Sequence, residues 1–215
     1  MKIRSRNIII NFCAVLLLAS CNKGPIMYQF EGQVTDALTG SPLSGVDFEL
    51  DQKILQNGAV TAGFIFAGAA KTDGSGRYDL SIEREKVTSF LMTYKKENYF
   101  TIEIEETSAN VTTDGSNVYD QELEPKSWIK FDMENFGPSE SDHLRLLTQD
   151  FREGCNGCAE NKTYNYYGAL DTNITYVTTA GSYVKFTFIN MVTGYSLIDS
   201  LYATPFDSST YVFNY

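Results

Sequence analysis

The sequence predicts an all-β protein, built as two β-sandwich domains in tandem, and three observations support this prediction. Tyr and Phe, which are enriched in strands, occur 14 times each among the 215 residues. Short runs of alternating apolar and polar residues are separated by clusters of Gly, Pro, Asn, Asp and Ser, as strands are by turns. The 195 residues after position 20 suit two domains of about 100 residues each.

The first half of the chain has the clearest alternation. Residues 28–35 place Tyr28, Phe30 and Val34 on one face of a strand. The segment 72–76 predicts a tight hairpin turn, because its glycines accept a positive φ. Strands are predicted over residues 28–35, 46–50, 77–83, 87–94, 101–105 and 118–123, with Tyr78, Leu80 and Ile82 facing inward in the third of them.

Two motifs in this half carry a resemblance to a known family. They read Gly32-x-Val34-x-Asp36-x-x-x-Gly40-x-Pro42-Leu43-x-Gly45-Val46 and Thr72-Asp73-x-x-Gly76-x-Tyr78-x-Leu80. Over about residues 26–125 the chain resembles the carboxypeptidase regulatory-like domain, a transthyretin-like β-sandwich. The resemblance implies a fold, with a loop between opposite sheets and a hairpin turn, and it implies no peptidase activity.

The segment 53–70 departs from that family. It is longer than the usual connection, is rich in glycine and alanine, and contains the apolar stretch Phe64-Ile65-Phe66. An added strand and a flap are both compatible with this composition.

A boundary between the domains is predicted at Glu124-Pro125-Lys126, because proline ends a strand and a new period-2 alternation begins at residue 128. The first domain then covers residues 28–125 and the second covers residues 126–215. Further strands are predicted over 128–133, 163–167, 173–178, 183–191, 195–203 and 211–215. About seven short strands in 90 residues favour an immunoglobulin-like sandwich. Residues 140–151 fit a helix or a strand.

The N-terminus predicts where the protein is located. Lys2, Arg4 and Arg6 precede an apolar run of about a dozen residues, which is too short to span a bilayer. Leu18-Ala19-Ser20-Cys21 then resembles the lipobox of bacterial lipoproteins. The resemblance implies that residues 1–20 are a signal peptide that is removed, and that Cys21 carries diacylglycerol and a palmitate-like acyl chain. Residues 21–27 are then a lipidated tether.

The whole arrangement resembles the small two-domain lipoproteins of Bacteroidota, which implies a cell-envelope protein anchored in the outer membrane, on either of its faces. The tether reaches about 25 Å when extended. The first domain therefore stays near the membrane, and the second domain presents the surface for a partner.

Charge excludes one class of partner. After residue 20 the chain has 14 basic and 27 acidic residues, a net charge of −13. Nucleic-acid binding needs a basic stripe, whereas the basic residues here are scattered. The acidity indicates a solvated surface, and binding of divalent cations is the alternative.

The two cysteines of the second domain lie in Gly154-Cys155-Asn156-Gly157-Cys158. A disulfide between Cys155 and Cys158 is favoured, since disulfides persist outside the cytosol. A zinc site is the alternative, and it would need His143 with Asp142 or Glu153 as further ligands.

No group of residues in the sequence predicts catalysis. His143 is the only histidine, and it would have to act as the base of any Ser/His/Asp or Cys/His system. Glu103, Glu105 and Glu106 are expected on a strand exterior, without the cleft that a glycosidase needs. We therefore expect no enzymatic activity, no catalytic residue, no cofactor and no metal site.

Aromatic residues give the remaining functional signal. Trp128, Tyr164, Tyr166 and Tyr167 could form a platform for sugar rings, with Tyr99 and Phe100 nearby, or they could fill a core. Asp199-Ser200-Leu201 resembles a short O-glycosylation pattern of Bacteroidota envelope proteins.

The sequence therefore favours a non-catalytic, lipid-anchored envelope protein that acts as a binding or scaffolding module. A glycan-binding accessory lipoprotein of a polysaccharide uptake system is the alternative. The expected partners are the membrane, through the lipid anchor, and an envelope protein or a glycan, with no nucleic acid.

Overall fold

The computed structural model of the chain describes residues 24–169 and 171–215. The predicted signal peptide and Cys21 lie outside these residues. Regular structure in the described part consists of strands and one 3₁₀ turn, Ser108–Asn110, and no described helix is long and apolar enough to cross a membrane. The strands are β1 Met27–Asp36, β2 Asp47–Gln56, β3 Ala59–Val60, β4 Ile65–Lys71, β5 Arg77–Glu83, β6 Val87–Lys95, β7 Ile102–Thr107, β8 Ser116–Val118, β9 Gln121–Leu123, β10 Lys126–Glu134, β11 His143–Gln149, β12 Thr163–Tyr167, β13 Thr172–Thr179, β14 Tyr183–Asn190, β15 Ser196–Tyr202 and β16 Ser208–Asn214.

The first sandwich consists of two sheets. In one sheet β1 pairs antiparallel with β5 and parallel with β8 and β9. In the other, β2 lies between β6 and the β3 and β4 strands, and β6 also pairs with β7. Because side chains alternate across each strand, one side of both sheets is apolar. The buried side chains between them include Phe30, Val34, Phe48, Leu50, Phe90, Met92 and Tyr94.

The second sandwich has its own core. One sheet has the order β13-β10-β16, and the other has the order β12-β11-β14-β15. Val184, Phe186 and Phe188 of β14 are all fully buried. They pack against aromatic rings of the facing sheet, with the ring centroids of Phe131 and Phe186 4.9 Å apart. The prediction of two tandem β-sandwiches is confirmed.

Both sandwiches have the same strand order. If the two-residue β3 is left out and β8 and β9 are counted as one, each sandwich has seven strands. In each, the first strand pairs antiparallel with the fourth and parallel with the seventh. The second strand pairs with the third and the fifth, and the fifth pairs with the sixth. An immunoglobulin constant domain instead places its first and second strands in one sheet. The second sandwich therefore has the topology of the first rather than the immunoglobulin order predicted from strand number.

The two motif regions have structural roles. A Cβ atom on Gly32 would lie 2.2 Å from the carbonyl oxygen of Tyr119, so only glycine allows the chain between β8 and β9 to approach β1. Gly76 has a φ of 73° and closes the β4–β5 turn. Thr72 Oγ1 accepts a hydrogen bond from Val46 N and donates one to Leu43 O, which ties the two motifs together.

Two ambiguous segments form strands. Residues 53–70 extend β2 and form β3 and β4, so the added-strand interpretation describes the structure and the flap does not. Residues 143–149 form β11, with Leu144 and Leu146 fully buried. This alternate burial is the strand pattern, and the helical alternative is wrong.

The backbone between the sandwiches is bonded on both sides. Lys126 N donates to Asn98 O of the first sandwich, and Phe206 N of the second donates to Lys126 O. Ala180 N donates to Pro125 O. The connection is thus part of a hydrogen-bonded interface and not a free linker.

Side chains complete this interface. The ring of Tyr99 packs against that of Phe206, with centroids 5.3 Å apart. Arg152 forms an ion pair with Glu124, and its guanidinium carbon lies 3.9 Å from the centroid of the Phe100 ring. A cation over an aromatic ring contributes about 0.5–2 kcal/mol, so these contacts add to the backbone hydrogen bonds between the sandwiches.

Tyr99 also holds the end of β1. Its hydroxyl donates to Asp36 Oδ2 at 2.7 Å, and Leu38 N and Thr39 N donate to Asp36 Oδ1. Asp36 is 5% exposed. Burial alone would raise the pKa of the Asp36 carboxyl, but the hydrogen bonds from Tyr99, Thr39 and Leu38 outweigh burial and lower it below its ordinary value.

Replacing Tyr99 by Phe removes this donor and keeps the ring. We expect Tyr99→Phe to lower the free energy of unfolding at pH 7 by about 1–3 kcal/mol, because a buried carboxylate loses one of its donors. The exposed Tyr195 is the control, and Tyr195→Phe should change stability by less than about 0.5 kcal/mol. Urea denaturation measures both.

Since the pKa of folded Asp36 is lowered, its contribution is present above about pH 4 and is lost as the pH falls through the folded pKa. The difference between wild type and Tyr99→Phe should therefore shrink in acid, and a constant difference would contradict this account.

A second substitution tests the contact between the sandwiches. Gly181 has a φ of 85°, and a Cβ atom there would lie 2.4 Å from Leu38 Cδ1. Gly194 has a similar φ of 75° and open space around it, so Gly194→Ala is the matched control. We expect Gly181→Ala to lose up to about 1 kcal/mol more than Gly194→Ala, because the partly exposed Leu38 side chain has to move aside. A double-mutant cycle with Leu38→Ala should show a coupling of about 1 kcal/mol, and strict additivity would show that the two residues do not touch.

Candidate functional site

The four predicted platform aromatics do not form one surface. Tyr164 and Tyr166 point into the core of the second sandwich, whereas Tyr167 points outward and is 69% exposed. Trp128 lies on the outer side of the other sheet, since its neighbour Ile129 is fully buried. Alternation along β12 separates the tyrosines, and the strand order places Trp128 on the opposite side of the sandwich.

The structure reveals a different surface around Tyr167. It consists of the side chains of β11, β12, β14 and β15 that point away from the core, and we name it the distal sheet face. Its members are the odd-numbered residues 143–149, 163–167 and 183–189 and the even-numbered residues 196–202. None of these fifteen residues is acidic, although the chain has 27 acidic residues.

One end of the distal sheet face is a hydrogen-bonded cluster. Asn165 Oδ1 lies 2.9 Å from His143 Nε2 and accepts a hydrogen bond from Arg145 Nε at 3.1 Å. The ring of Tyr167 stacks on the imidazole of His143, with centroids 4.3 Å apart and planes at 23°. Asn165 therefore orients two side chains, His143 and Arg145, which are both partly exposed on the outward side of β11.

The other end carries a second aromatic pair. Tyr183 and Tyr202 are cross-strand neighbours whose ring centroids are 5.2 Å apart. Between the two ends lie Ile198, which is 76% exposed, and Lys185, which pairs with Asp150 at 3.0 Å. Exposed apolar and aromatic side chains gathered on one face of a sheet are typical of a binding surface.

The equivalent face of the first sandwich is very different. Its outward residues include five acids, which are Asp47, Glu49, Asp51, Glu103 and Glu105. Burial and the charge of Glu49 raise the pKa of Asp51 above its ordinary value. Glu106, which was expected outside, lies on the inward side of β7 and accepts a hydrogen bond from Asn110 Nδ2. The same strand order thus presents a face with five acids and three lysines, Lys53, Lys71 and Lys95, in one sandwich and an acid-free face in the other.

Other chemically suggestive residues have structural partners. Asp73 accepts hydrogen bonds from Ser75 and Arg77 N, which close the hairpin turn and lower the pKa of its carboxyl. Asp142 accepts from Asn135 Nδ2 and Ser139 N, and these bonds lower its pKa. Ser200 of the glycosylation pattern is exposed on β15.

Cys155 and Cys158 are joined by a disulfide, with their Cα atoms 5.2 Å apart. Val177 N donates to Gly157 O, so the disulfide loop lies along β13, an edge strand of its sheet. Within the described ranges no group of three His, Cys, Asp or Glu residues could hold a metal ion. The zinc alternative fails because the two sulfur atoms bond to each other.

Comparisons with known proteins give only distant likenesses. No family model matches the chain, and no curated protein does. Among solved structures, the shaft pilin SpaA of Lactobacillus rhamnosus GG is 11% identical with a TM-score of 0.34, over 89% of this chain and 98% of that one. GBS52, a minor pilin of Streptococcus agalactiae, is 8% identical with a TM-score of 0.37, over 87% and 94%. A 3-chlorocatechol 1,2-dioxygenase of Rhodococcus opacus 1CP is 15% identical with a TM-score of 0.33, over 46% of this chain and 60% of that one. The chain thus spans less than two thirds of that enzyme, and likenesses at these TM-scores carry no functional argument.

The disulfide leads to a prediction about thiols and stability. Thiol titration of the mature, non-reduced protein should find no free thiol, since Cys155 and Cys158 are paired and Cys21 is expected to be acylated. Replacing both cysteines of the loop by Ser should lower the free energy of unfolding by about 2 kcal/mol, the chain-entropy value for so short a loop. Reductant should destabilise the wild type and leave the double variant unchanged. Two reactive thiols in the non-reduced protein would contradict the pairing.

Proposed function

We propose that this protein is a non-catalytic, lipid-anchored protein of the cell envelope that binds a partner through the distal sheet face. The observation that supports this most directly is the composition of that face, which is free of acids and rich in exposed aromatic and apolar side chains. Because the residues after position 20 carry a net charge of −13, such a face is a distinct recognition surface.

The arrangement of the sandwiches supports a role in display. β1 starts at Met27, beside the proposed tether, and ends at Asp36, beside the connection to the second sandwich. Ten residues of strand span about 30 Å. The first sandwich is then a spacer that holds the distal sheet face away from the membrane.

A binding role also fits the use of the reactive side chains. The carboxylates of Asp36, Asp73 and Asp142 stabilise turns, and Cys155 and Cys158 form a disulfide. His143 is stacked on Tyr167 and bonded to Asn165, so its contacts in the structure are with residues of the same face.

We also propose a lipid anchor at Cys21 and a family for the first sandwich. The lipobox-like Leu18-Ala19-Ser20-Cys21 supports a lipoprotein of the Bacteroidota type, in the outer membrane. The structural roles of Gly32, Thr72 and Gly76 support a first sandwich of the carboxypeptidase regulatory-like kind.

Glycan binding in a polysaccharide uptake system is the second candidate function. The observation that favours it is the stacked Tyr167–His143 pair beside Asn165. An exposed ring next to an amide offers a sugar both an apolar platform and hydrogen bonds.

The anchor can be tested by metabolic labelling with an alkyne analogue of palmitate. We expect the wild-type protein to carry the label in the membrane fraction and Cys21→Ala to lose it, because Cys21 is the only proposed acylation site. Cys13→Ala is the matched control, since Cys13 belongs to the segment that is removed, and it should keep the label. An unlabelled wild-type protein whose first residue is Met1 would contradict the proposal.

A further inference from the structure

We infer that the distal sheet face binds an acidic glycan, a sugar chain bearing carboxylate or sulfate groups, at the cluster of His143, Arg145, Asn165 and Tyr167. This inference rests on the proposed binding function and specifies its ligand. The first observation is that His143 and Arg145 both contact the same atom, Asn165 Oδ1.

Arg145 provides the anion contact. Its Nε is used by Asn165, and in the described part of the chain no carboxylate lies within ion-pair distance of its guanidinium. By contrast, Arg152 is paired with Glu124. A guanidinium held by one nitrogen keeps its two terminal amino groups as a fork that matches a carboxylate or a sulfate.

His143 provides a hydroxyl contact. An amide oxygen only accepts, so His143 Nε2 carries the hydrogen in its contact with Asn165 Oδ1. Whenever the ring is neutral, its Nδ1 is then an acceptor for a sugar hydroxyl. Arg145 and His143 lie two residues apart on β11, and both point outward. One sugar unit can therefore reach both groups.

Tyr167 provides the stacking contact. Its ring is 69% exposed and is held in place by the imidazole behind it. The apolar face of a sugar ring packs on such a rigid aromatic surface at little entropic cost, whereas a flexible side chain would first have to be ordered.

The rest of the face favours an extended, repeating ligand. The Tyr183–Tyr202 pair lies roughly 27 Å from the Tyr167–His143 pair, for eight residues along β14 at about 3.4 Å each. Small hydroxyl side chains, including Thr187 and Ser200, lie between the two pairs. Electrostatics adds selectivity, because the outward residues here include Arg145 and no acid, whereas those of the first sandwich include five acids, two of them paired with lysine.

The test uses the full-length protein in detergent micelles, immobilised for surface plasmon resonance. The acidic probes are oligogalacturonate and chondroitin sulfate oligosaccharides, and the neutral probe is maltoheptaose. We expect at least one acidic probe to bind at least tenfold more tightly than the neutral probe, with an affinity that falls as salt is raised. Equal affinity for acidic and neutral probes, or no binding of either acidic probe, would overturn the inference.

Variants locate the site. Arg145→Gln and Tyr167→Ala should each weaken binding of the acidic probe at least tenfold. Arg84→Gln and Phe66→Ala, at exposed positions of the first sandwich, are the matched controls and should change it less than twofold. Binding that survives both distal substitutions, or that falls equally in the controls, would refute the assignment to this cluster.

A further probe separates this inference from the proposed function. Polyglutamate has the charge of the acidic glycans without their rings or hydroxyls. Binding of polyglutamate alone, lost in Arg145→Gln, would overturn the glycan inference and keep the distal sheet face as a docking site for an acidic protein. The palmitate-analogue labelling of Cys21 is independent of every outcome here.

Discussion

The relative placement of the two sandwiches depends on one buried carboxylate and the tyrosine that bonds it. Asp36 ends β1 and accepts the hydroxyl hydrogen of Tyr99, whose ring reaches across to Phe206 of the second sandwich. A charge in this position is tolerated only because it is fully bonded. The same tyrosine thus links the core of one domain to the surface of the next, and it helps to set the relative orientation of the two sandwiches.

The two sandwiches share one strand topology and differ in the chemistry of their outer faces. Strand order and direction repeat between the sandwiches, yet the corresponding outer faces carry five acids in one and none in the other. Fold and surface chemistry are separable in a β-sandwich, because alternate residues of each strand serve the core and the solvent independently. The inward residues determine the fold, and the outward residues can change to suit a binding partner without altering it.

Local patterns in the sequence were sufficient to predict most strands and the turn at 72–76. Burial of Phe30, Phe48 and Phe186 follows directly from alternation. Strand order does not, because pairing joins residues far apart, such as Trp128 with Ser208. The site was missed for the same reason: Arg145, Asn165 and Ile189 become neighbours only across three strands, and the ambiguous 140–151 segment hid β11. The lack of acids at alternate positions of β11, β12, β14 and β15 is a sequence signal that predicts this face once the four strands are recognised.

The position of Trp128 has a practical consequence. It is the only tryptophan in the chain, and it lies on the sheet opposite the distal sheet face, half-buried between Val177 and Ser208. Trp128 fluorescence will therefore change when the protein unfolds, and it will not change when a ligand binds to the distal sheet face. Tryptophan emission reports unfolding of this protein, and ligand binding has to be measured by another method.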